Sequence, residues 1–134
     1  AAADRESRIF QAVFEPGSTM KTVTAATVVD QGKANPESKV RAPYRIRLPW
    51  GSVIQDSHLH PTQKLTLTGV LRDSSNTGII QFGALVDTET RYNYLRKFGV
   101  GEKTAVNFAG ESAGLINKWL HLVALRMQAA QSLR

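Results

Sequence analysis

Cysteine is absent from the 134 residues of this chain, and so is any long apolar run. Without cysteine, the chain can form no disulfide, no thiolate metal site and no cysteine nucleophile. No apolar run reaches the roughly 18 residues that a membrane span needs. The amino terminus also lacks the basic-then-apolar pattern of a signal peptide. If the protein is exported or anchored, we therefore expect a segment outside this chain to be responsible.

Acidic residues are outnumbered: 11 Asp and Glu stand against 17 Lys and Arg, which gives a net charge of +6. Such a surplus is one sign of a protein that binds nucleic acid or another polyanion. The basic residues are scattered, with no basic run of five and no aromatic RNA-binding signature. We therefore expect no nucleic-acid partner, and a polyanion binder stays an alternative hypothesis. Length and composition, with 42% hydrophobic residues, predict one globular domain.

Hydrophobic spacing predicts a chain that mixes helices and strands. A helix is expected over residues 18–32, because Ser18 is a favoured N-cap and Gly32 a favoured stop. Its interior is small or apolar almost all round, which predicts burial on most sides. Alternation of apolar and basic residues predicts a half-exposed strand over residues 44–48. The other predicted segments are a strand or turn over 9–14, a polar turn over 73–76, and helices over 65–72, 77–85, 88–98 and 118–133.

A serine and a lysine stand three residues apart in the stretch FEPGSTMK, residues 14–21. On a helix, Ser18 and Lys21 share a face. A serine hydroxyl is a weak nucleophile until a neighbour takes its proton. Lysine can do so when burial lowers its pKa, and a helix N-terminus favours an oxyanion. From this pattern alone two hypotheses stay open: a nucleophile with its base, or a capping serine beside a solvated lysine.

A second polar motif, Ser74-Ser75-Asn76, lies between two apolar segments. A turn there can aim a hydroxyl and a carboxamide into the cleft that holds Ser18. Ser74 could then relay a proton to or from Lys21, and Asn76 could bind a substrate amide. An ordinary turn between helices, rich in Ser and Asn, is the alternative. The two motifs occur together, in this order, in β-lactamases and penicillin-binding proteins.

Three stretches in order, FEPGSTMK, LRDSSNTG and FGVGEKTAVNFAGESAG, resemble the class B penicillin-binding proteins, which are peptidoglycan transpeptidases. The FEPGS wording is similar to the division-type members. The resemblance covers residues 8–115, and the tail that follows is weakly similar. It implies that Ser18 is the nucleophile, acylated by stem-peptide D-Ala-D-Ala and by penicillin, and that Lys21 is its general base. It also implies a proton relay at Ser74, a substrate-amide contact at Asn76, and substrate-binding roles for Ser75 and Thr77.

The resemblance further implies an α/β (α+β) fold of the penicillin-binding protein and serine β-lactamase type. Residues 1–134 would form a partial transpeptidase domain, mainly its helical part, with the central antiparallel sheet largely missing. No cofactor or metal is expected. The implied location is the extracytoplasmic face of the bacterial membrane, in septal cell-wall synthesis, with an anchor outside this chain. The implied partners are peptidoglycan stem peptides or a lipid-linked precursor, β-lactam antibiotics, the remaining segments of the same enzyme and division-complex membrane proteins.

The family's third motif, Lys-Thr/Ser-Gly on a core strand, does not occur in this sequence. Lys103-Thr104-Ala105 lacks the glycine that lets substrate lie against the strand, so we expect Lys103 to be a solvated loop residue. The cleft of the single chain is therefore expected to be incomplete. A catalytically inert or β-lactam-sensing homologue that acts as a binding module is the alternative hypothesis.

Other polar and aromatic residues are expected to have structural roles. His58 and His60 come nearest to a metal pattern. Without cysteine, and with only Asp56 close by, the set is thin for zinc, so we expect surface loop histidines. Packing or structural roles are likewise expected for Tyr44, Trp50 and Glu111.

Overall fold

The computed structural model describes residues 8–49 and 51–116. Its helices are α1 (Arg8–Gln11), α2 (Met20–Asp30), α3 (Leu67–Arg72), α4 (Asn76–Gly83) and α5 (Thr88–Lys97). Its strands are β1 (Lys39–Ala42), β2 (Arg45–Arg47), β3 (Val53–Gln55) and β4 (Gln63–Thr66). They pair as two antiparallel ribbons, β1 with β4 and β2 with β3. Trp50 and the predicted helix over 118–133 lie outside the described residues.

The core lies where α2, α3 and α4 pack together against the β1–β4 ribbon. Val28, Val70 and Phe82, one from each of the three helices, are almost completely buried. Burying a side chain of this size stabilises a fold by roughly 1.5–3 kcal/mol. Because α4 contacts both α2 and α3, the turn that joins α3 to α4 is held close to the start of α2.

Helix α2 ends as its sequence predicts but begins differently. Gly32 has a φ of +62°, and its N–H bonds to the Val29 carbonyl while that of Lys33 bonds to the Val28 carbonyl, a Schellman stop. The prediction that Ser18 caps the helix is wrong. A 3-10 turn, Gly17–Thr19, leads into α2, and Thr19 occupies the cap position with helical φ and ψ and no side-chain cap bond. A capping side chain needs an extended backbone, which this continuous winding removes.

Burial of α2 is one-sided, which corrects the prediction that it is buried on most sides. Val23, Ala25, Thr27 and Val28 are buried, whereas the faces carrying Thr22, Ala26, Val29 and Asp30 are exposed. The described neighbours α3, α4 and α5 pack against α2. The apolar character of its exposed residues is thus not explained by those contacts.

Two short segments differ from their predictions. Of residues 9–14, expected as a strand or turn, residues 9–11 belong to the single helical turn α1 and residues 12–14 have no regular secondary structure. Residues 65–72, expected as one helix, divide between β4 and α3. Leu65 pairs with Val40 of β1, and the Thr66 hydroxyl then caps α3 by accepting the Gly69 N–H at 2.9 Å. Strand pairing therefore overrides local helical spacing at the start of this segment.

The remaining predicted elements are confirmed within two residues. Strand β2 lies inside residues 44–48, α4 matches the helix predicted over 77–85, and α5 the helix predicted over 88–98. In the described part of the chain, no helix combines the length and apolarity needed to cross a membrane.

Candidate active site

The Ser74-Ser75-Asn76 turn joins α3 to α4, and its backbone is unusual. Ser74 has a φ of +53°, in the left-handed region that non-glycine residues seldom adopt. Ser75 returns to an extended backbone and caps α4, because its hydroxyl accepts the Gly78 N–H at 2.9 Å. This sharp reversal leaves Ser74 exposed at the tip of the turn.

Lys21 reaches this turn from the first turn of α2. Its Nζ donates to the Ser74 hydroxyl at 3.0 Å and also to the Ser74 carbonyl oxygen, across 53 residues of sequence. The structure therefore brings the lysine of the first motif and the serine of the second into direct contact. A proton can pass between an amine and a hydroxyl at this distance.

The amine of Lys21 lies in a half-buried environment that matters for its chemistry. Burial lowers the pKa of Lys21 below its ordinary value of 10.5, and the nearby negative charge of Asp56 partly opposes that shift. A lowered pKa raises the fraction of neutral amine, the form that can accept a proton from a hydroxyl.

Ser18 lies in the 3-10 turn one helical turn before Lys21, and it is exposed. The described residues include no hydrogen-bond partner for its hydroxyl. Catalytic hydrogen bonds are often long in a site without substrate and shorten when substrate binds. The predicted nucleophile thus lies about one helical turn before its predicted base along continuous winding, and the hydrogen bond between them stays a prediction.

Asn76 begins α4 and is held at two points. Its Nδ2 donates to the Gln55 carbonyl at 2.8 Å, and its backbone N–H donates to the carboxylate of Asp56. Asn76 also lines a cavity of about 550 Å³ between α2, α4 and β3, together with Thr24 and Arg91. Ser18, Lys21 and Ser74 are not among the described residues that line this cavity, so the contact of Asn76 with a substrate amide stays a prediction.

Ser75 and Thr77 face the interior and not the cleft. Ser75 is 3% exposed and Thr77 is fully buried. The Ser75 hydroxyl donates to Asp56 at 2.8 Å and the Thr77 hydroxyl to the Pro43 carbonyl at 2.7 Å. Their substrate-binding role stays a prediction, and this burial argues against direct side-chain contact with substrate.

The sequence does not single out Asp56 as a site residue, yet the structure places it directly beneath the second motif. It is 8% exposed and accepts hydrogen bonds from three successive residues, Ser75, Asn76 and Thr77. In the sequence, Asp56 is only a neighbour of the His58-x-His60 pair. No local pattern in the sequence marks Asp56, because its contacts with the second motif arise only in the folded chain.

Hydrogen bonding determines the charge state of Asp56. Burial alone raises the pKa of Asp56, but donation by Thr77, Ser75, His60 and Asn76 outweighs it, so the pKa lies below its ordinary value. His60 bonds through Nδ1 to the Pro61 carbonyl at 2.7 Å and through Nε2 to Asp56 at 3.1 Å. These two acceptors raise the pKa of His60 above its ordinary value.

The remaining predictions concern residues outside the cleft. The prediction of surface loop histidines is confirmed for His58, which is exposed. It is wrong for His60, which is half-buried, bonds to Asp56 and packs edge-on against Tyr44. Within residues 8–49 and 51–116, no group of three or more His, Asp or Glu is arranged to hold a metal. Glu111 is buried and accepts the Thr104 N–H at 2.7 Å, which confirms its structural role. Lys103 is exposed on the same loop, as predicted.

Comparison with known proteins decides the family. Residues 2–134 match the model of the penicillin binding protein transpeptidase domain. The chain belongs to this transpeptidase family. Penicillin-binding protein PbpB of Mycolicibacterium smegmatis is 40% identical over 109 residues, which make up 79% of this chain and 17% of PbpB. Peptidoglycan D,D-transpeptidase FtsI of Escherichia coli K12 is 34% identical over 110 residues, 81% of this chain and 18% of FtsI.

A solved structure agrees with the penicillin-binding protein assignment. The crystal structure of penicillin binding protein 3 from Mycobacterium tuberculosis, complexed with ampicillin, superimposes with a TM-score of 0.76 at 38% identity. The match covers 81% of this chain and 24% of that one. The chain thus spans less than a fifth of the two curated relatives and corresponds to part of a division-type transpeptidase. The predicted α+β fold class is confirmed.

Proposed function

We propose that this chain provides the nucleophile and two of the catalytic motifs of a serine-type peptidoglycan D,D-transpeptidase. In this proposal Ser18 is the nucleophile, Lys21 its general base, Ser74 a proton relay and Asn76 a ligand of the substrate amide. One observation carries it: Lys21 Nζ contacts the Ser74 hydroxyl at 3.0 Å across 53 residues of sequence. A solvated lysine beside a capping serine would have no reason to make that contact.

The first chemical step transfers a proton and forms one bond. Neutral Lys21 takes the proton of the Ser18 hydroxyl, and the oxygen attacks the carbonyl carbon of the penultimate D-Ala of a stem peptide. The backbone N–H of Ser18, near the start of α2, supports the negative charge that develops on the carbonyl oxygen.

The second step breaks the D-Ala–D-Ala amide bond. The departing amine takes a proton from the Lys21 ammonium, through the Ser74 hydroxyl, and leaves an ester on Ser18. An acceptor amine of a second stem peptide then attacks this ester and forms the cross-link. The proton that the acceptor nitrogen loses passes through Lys21 to the Ser18 oxygen, which restores the hydroxyl. A β-lactam acylates Ser18 in the same way. Its amine stays attached to the acyl group and cannot leave, so the ester persists.

We also propose the substrates, inhibitors, location and partners of this site. The substrates are peptidoglycan stem peptides or their lipid-linked precursor, the inhibitors are β-lactams, and the site lies on the extracytoplasmic side of the bacterial membrane. Division-complex membrane proteins are the proposed partners, and septal synthesis is the proposed process. The relatives named as penicillin-binding proteins and D,D-transpeptidases support this setting.

Labelling with a fluorescent penicillin tests the enzyme proposal. It is applied to this chain alone and to a completed domain, meaning this chain together with the segment that carries Lys-Thr/Ser-Gly. We expect labelling of the completed domain and its loss in Ser18→Ala. The control is Ser52→Ala, an exposed hydroxyl in the β2–β3 connection, which should label normally. An unlabelled completed domain would contradict the proposal, and a labelled isolated chain would contradict the incompleteness of its cleft.

A catalytically inert or β-lactam-sensing homologue is the second candidate. The observation in its favour is that the 134 residues contain no Lys-Thr/Ser-Gly motif. Penicillin capture does not separate a transpeptidase from a β-lactam sensor, since both form an ester that hydrolyses slowly. Cross-linking of a D-Ala-D-Ala stem peptide to an acceptor amine does: a transpeptidase releases D-Ala and forms the cross-link, and a sensor does not.

A further inference from the structure

The carboxylate of Asp56 connects to the second motif far more extensively than a helix cap requires. Helices α3 and α5 are each capped by one local side chain, Thr66 and Asp87. Helix α4 also has a local cap, Ser75, whose hydroxyl accepts the Gly78 N–H. It receives Asp56 in addition, from about 20 residues earlier in the chain, so capping alone does not account for this residue.

The contacts of Asp56 fall on the residues around the tip of the turn. Oδ1 accepts the backbone N–H groups of Asn76 and Thr77, at 2.5 and 3.0 Å, and Oδ2 accepts the Ser75 hydroxyl at 2.8 Å. The neighbouring Gln55 carbonyl accepts the Asn76 side chain at 2.8 Å. The end of β3 thus fixes both the backbone and the carboxamide of Asn76.

Ser74 needs such support. A non-glycine residue at a φ of +53° is costly and persists where the surroundings over-determine it. Among the described residues, the Ser74 hydroxyl forms a hydrogen bond with Lys21 alone. The bonds from Asp56 to the next three residues hold the chain immediately after the strained position, and so fix where Ser74 can point.

We propose that Asp56 is a positioning residue for acylation: it holds the Ser74-Ser75-Asn76 turn in the orientation that presents Ser74 to Lys21 and Asn76 to the substrate. His60 also bonds to this carboxylate, with Nε2 at 3.1 Å from the same Oδ2 that accepts the Ser75 hydroxyl. Asp56 does not touch the reacting atoms. This inference rests on the proposed transpeptidase function, and it assigns the β2–β3 ribbon the task of holding the second motif.

The charge of Asp56 also acts on Lys21, which gives a second readout. Charged or titratable groups that face Asp56 are Lys21 from α2 and His60 from its own loop, while α4 presents hydroxyls and N–H groups. Because the negative charge raises the pKa of Lys21 against the effect of burial, its removal should lower that pKa further. The pH at which acylation reaches half its maximum should then move to a lower value.

The test compares Asp56→Asn with Asp87→Asn in the completed domain. Asp87 caps α5 through bonds to Thr90 at 2.7 and 2.8 Å. It is the matched control, because it is also a carboxylate at a helix N-terminus but lies outside the candidate site. For Asp56→Asn we expect the acylation rate constant at saturating β-lactam to fall by about 10–100-fold, as for a misplaced catalytic group. We expect noncovalent affinity to change little and the pH midpoint to move to lower pH. Asp87→Asn should lower the melting temperature and leave rate and midpoint unchanged.

The outcomes separate this inference from the proposed function. If the wild-type completed domain is not acylated, the proposed function fails. If the wild type is acylated and Asp56→Asn has the same acylation rate constant, the inference is overturned. It is also overturned if the rate constant of Asp56→Asn falls only in proportion to its melting temperature and the pH of half-maximal acylation does not change. Should Asp56→Asn not fold, His60→Ala serves instead, with an expected rate loss of roughly 2–10-fold from a looser carboxylate.

Discussion

At the scale of single residues, the site depends on the protonation state of Lys21. Two neighbours act on its pKa in opposite directions: burial lowers it, and the charge of Asp56 raises it. The sequence indicates the lysine but not this balance, because Asp56 lies 35 positions away and reaches the cleft only through the fold. Contacts of this kind depend on tertiary structure and leave no local pattern to detect.

Acylation should rise with pH and level off below the ordinary lysine pKa of 10.5. The base is Lys21 in its neutral form, and burial favours that form. The acylation rate therefore reaches its plateau at a lower pH than it would with an exposed lysine. The measurement is the acylation rate constant of the completed domain from pH 6 to 10. A rate independent of pH across this range would contradict the assignment of Lys21 as base.

Lys21→Arg should lower that rate constant by about 10³-fold or more, because a guanidinium stays protonated and cannot accept the serine proton. Lys103→Arg is the matched control, since Lys103 is exposed on a loop outside the site, and it should keep the wild-type rate. Equal rates for the two variants would show that the amine of Lys21 has no role as a base.

At the scale of elements, helix ends and helix crossings position the motifs. The stop of α2 at Gly32 was predictable, because the left-handed residue after a helix is a local property of the chain. The 3-10 entry through Gly17–Thr19 was not, since Ser, Thr and Pro nearby predict a capped start equally well. The division of residues 65–72 between β4 and α3 depends on pairing with β1, a partner distant in sequence.

Gly78→Ala should disturb the α3–α4 crossing. A Cβ at Gly78 would lie 2.5 Å from Val70 Cγ2 and 3.1 Å from the Ser75 hydroxyl oxygen. Overpacking of this kind typically costs about 1–3 kcal/mol, and acylation should fall as the second motif shifts. Urea unfolding and the acylation rate are the two measurements.

Gly83→Ala is the control for that substitution, because it is in the same helix and its nearest contact would be Thr24 Cγ2 at 3.3 Å. We expect a smaller loss of stability and little effect on acylation. A Gly78→Ala protein as stable and as active as Gly83→Ala would contradict the packing described at this crossing.

At the scale of the whole molecule, a small core holds two motifs that are distant in sequence. Phe82, at 1% exposure, is the largest of the fully buried side chains and links α4 to that core. Hydrophobic periodicity, which is local, predicts most of α2, α4 and α5 and the strand at β2, whereas the roles of the site residues come from motif spacing and family resemblance and stay predictions. The sequence does not predict the two ribbons or the position of Asp56, since both depend on long-range pairing.

Phe82→Ala should destabilise the fold by about 3–5 kcal/mol, the usual cost of removing a buried aromatic side chain. The measurement is the unfolding free energy from a denaturant titration. Phe98→Ala is the control, because Phe98 is 56% exposed and should change stability much less. A loss at Phe82 no larger than that at Phe98 would contradict the position of the core.

The central claim is that Ser18 becomes the acylated residue, and peptide mapping tests it most directly. The completed domain is treated with penicillin and digested with trypsin, which releases residues 9–21, IFQAVFEPGSTMK, with Ser18 as the single serine. We expect the penicilloyl mass on this peptide, and we expect fragmentation to assign it to Ser18 and not to Thr19. An adduct on Ser74 or on any other peptide would contradict this claim.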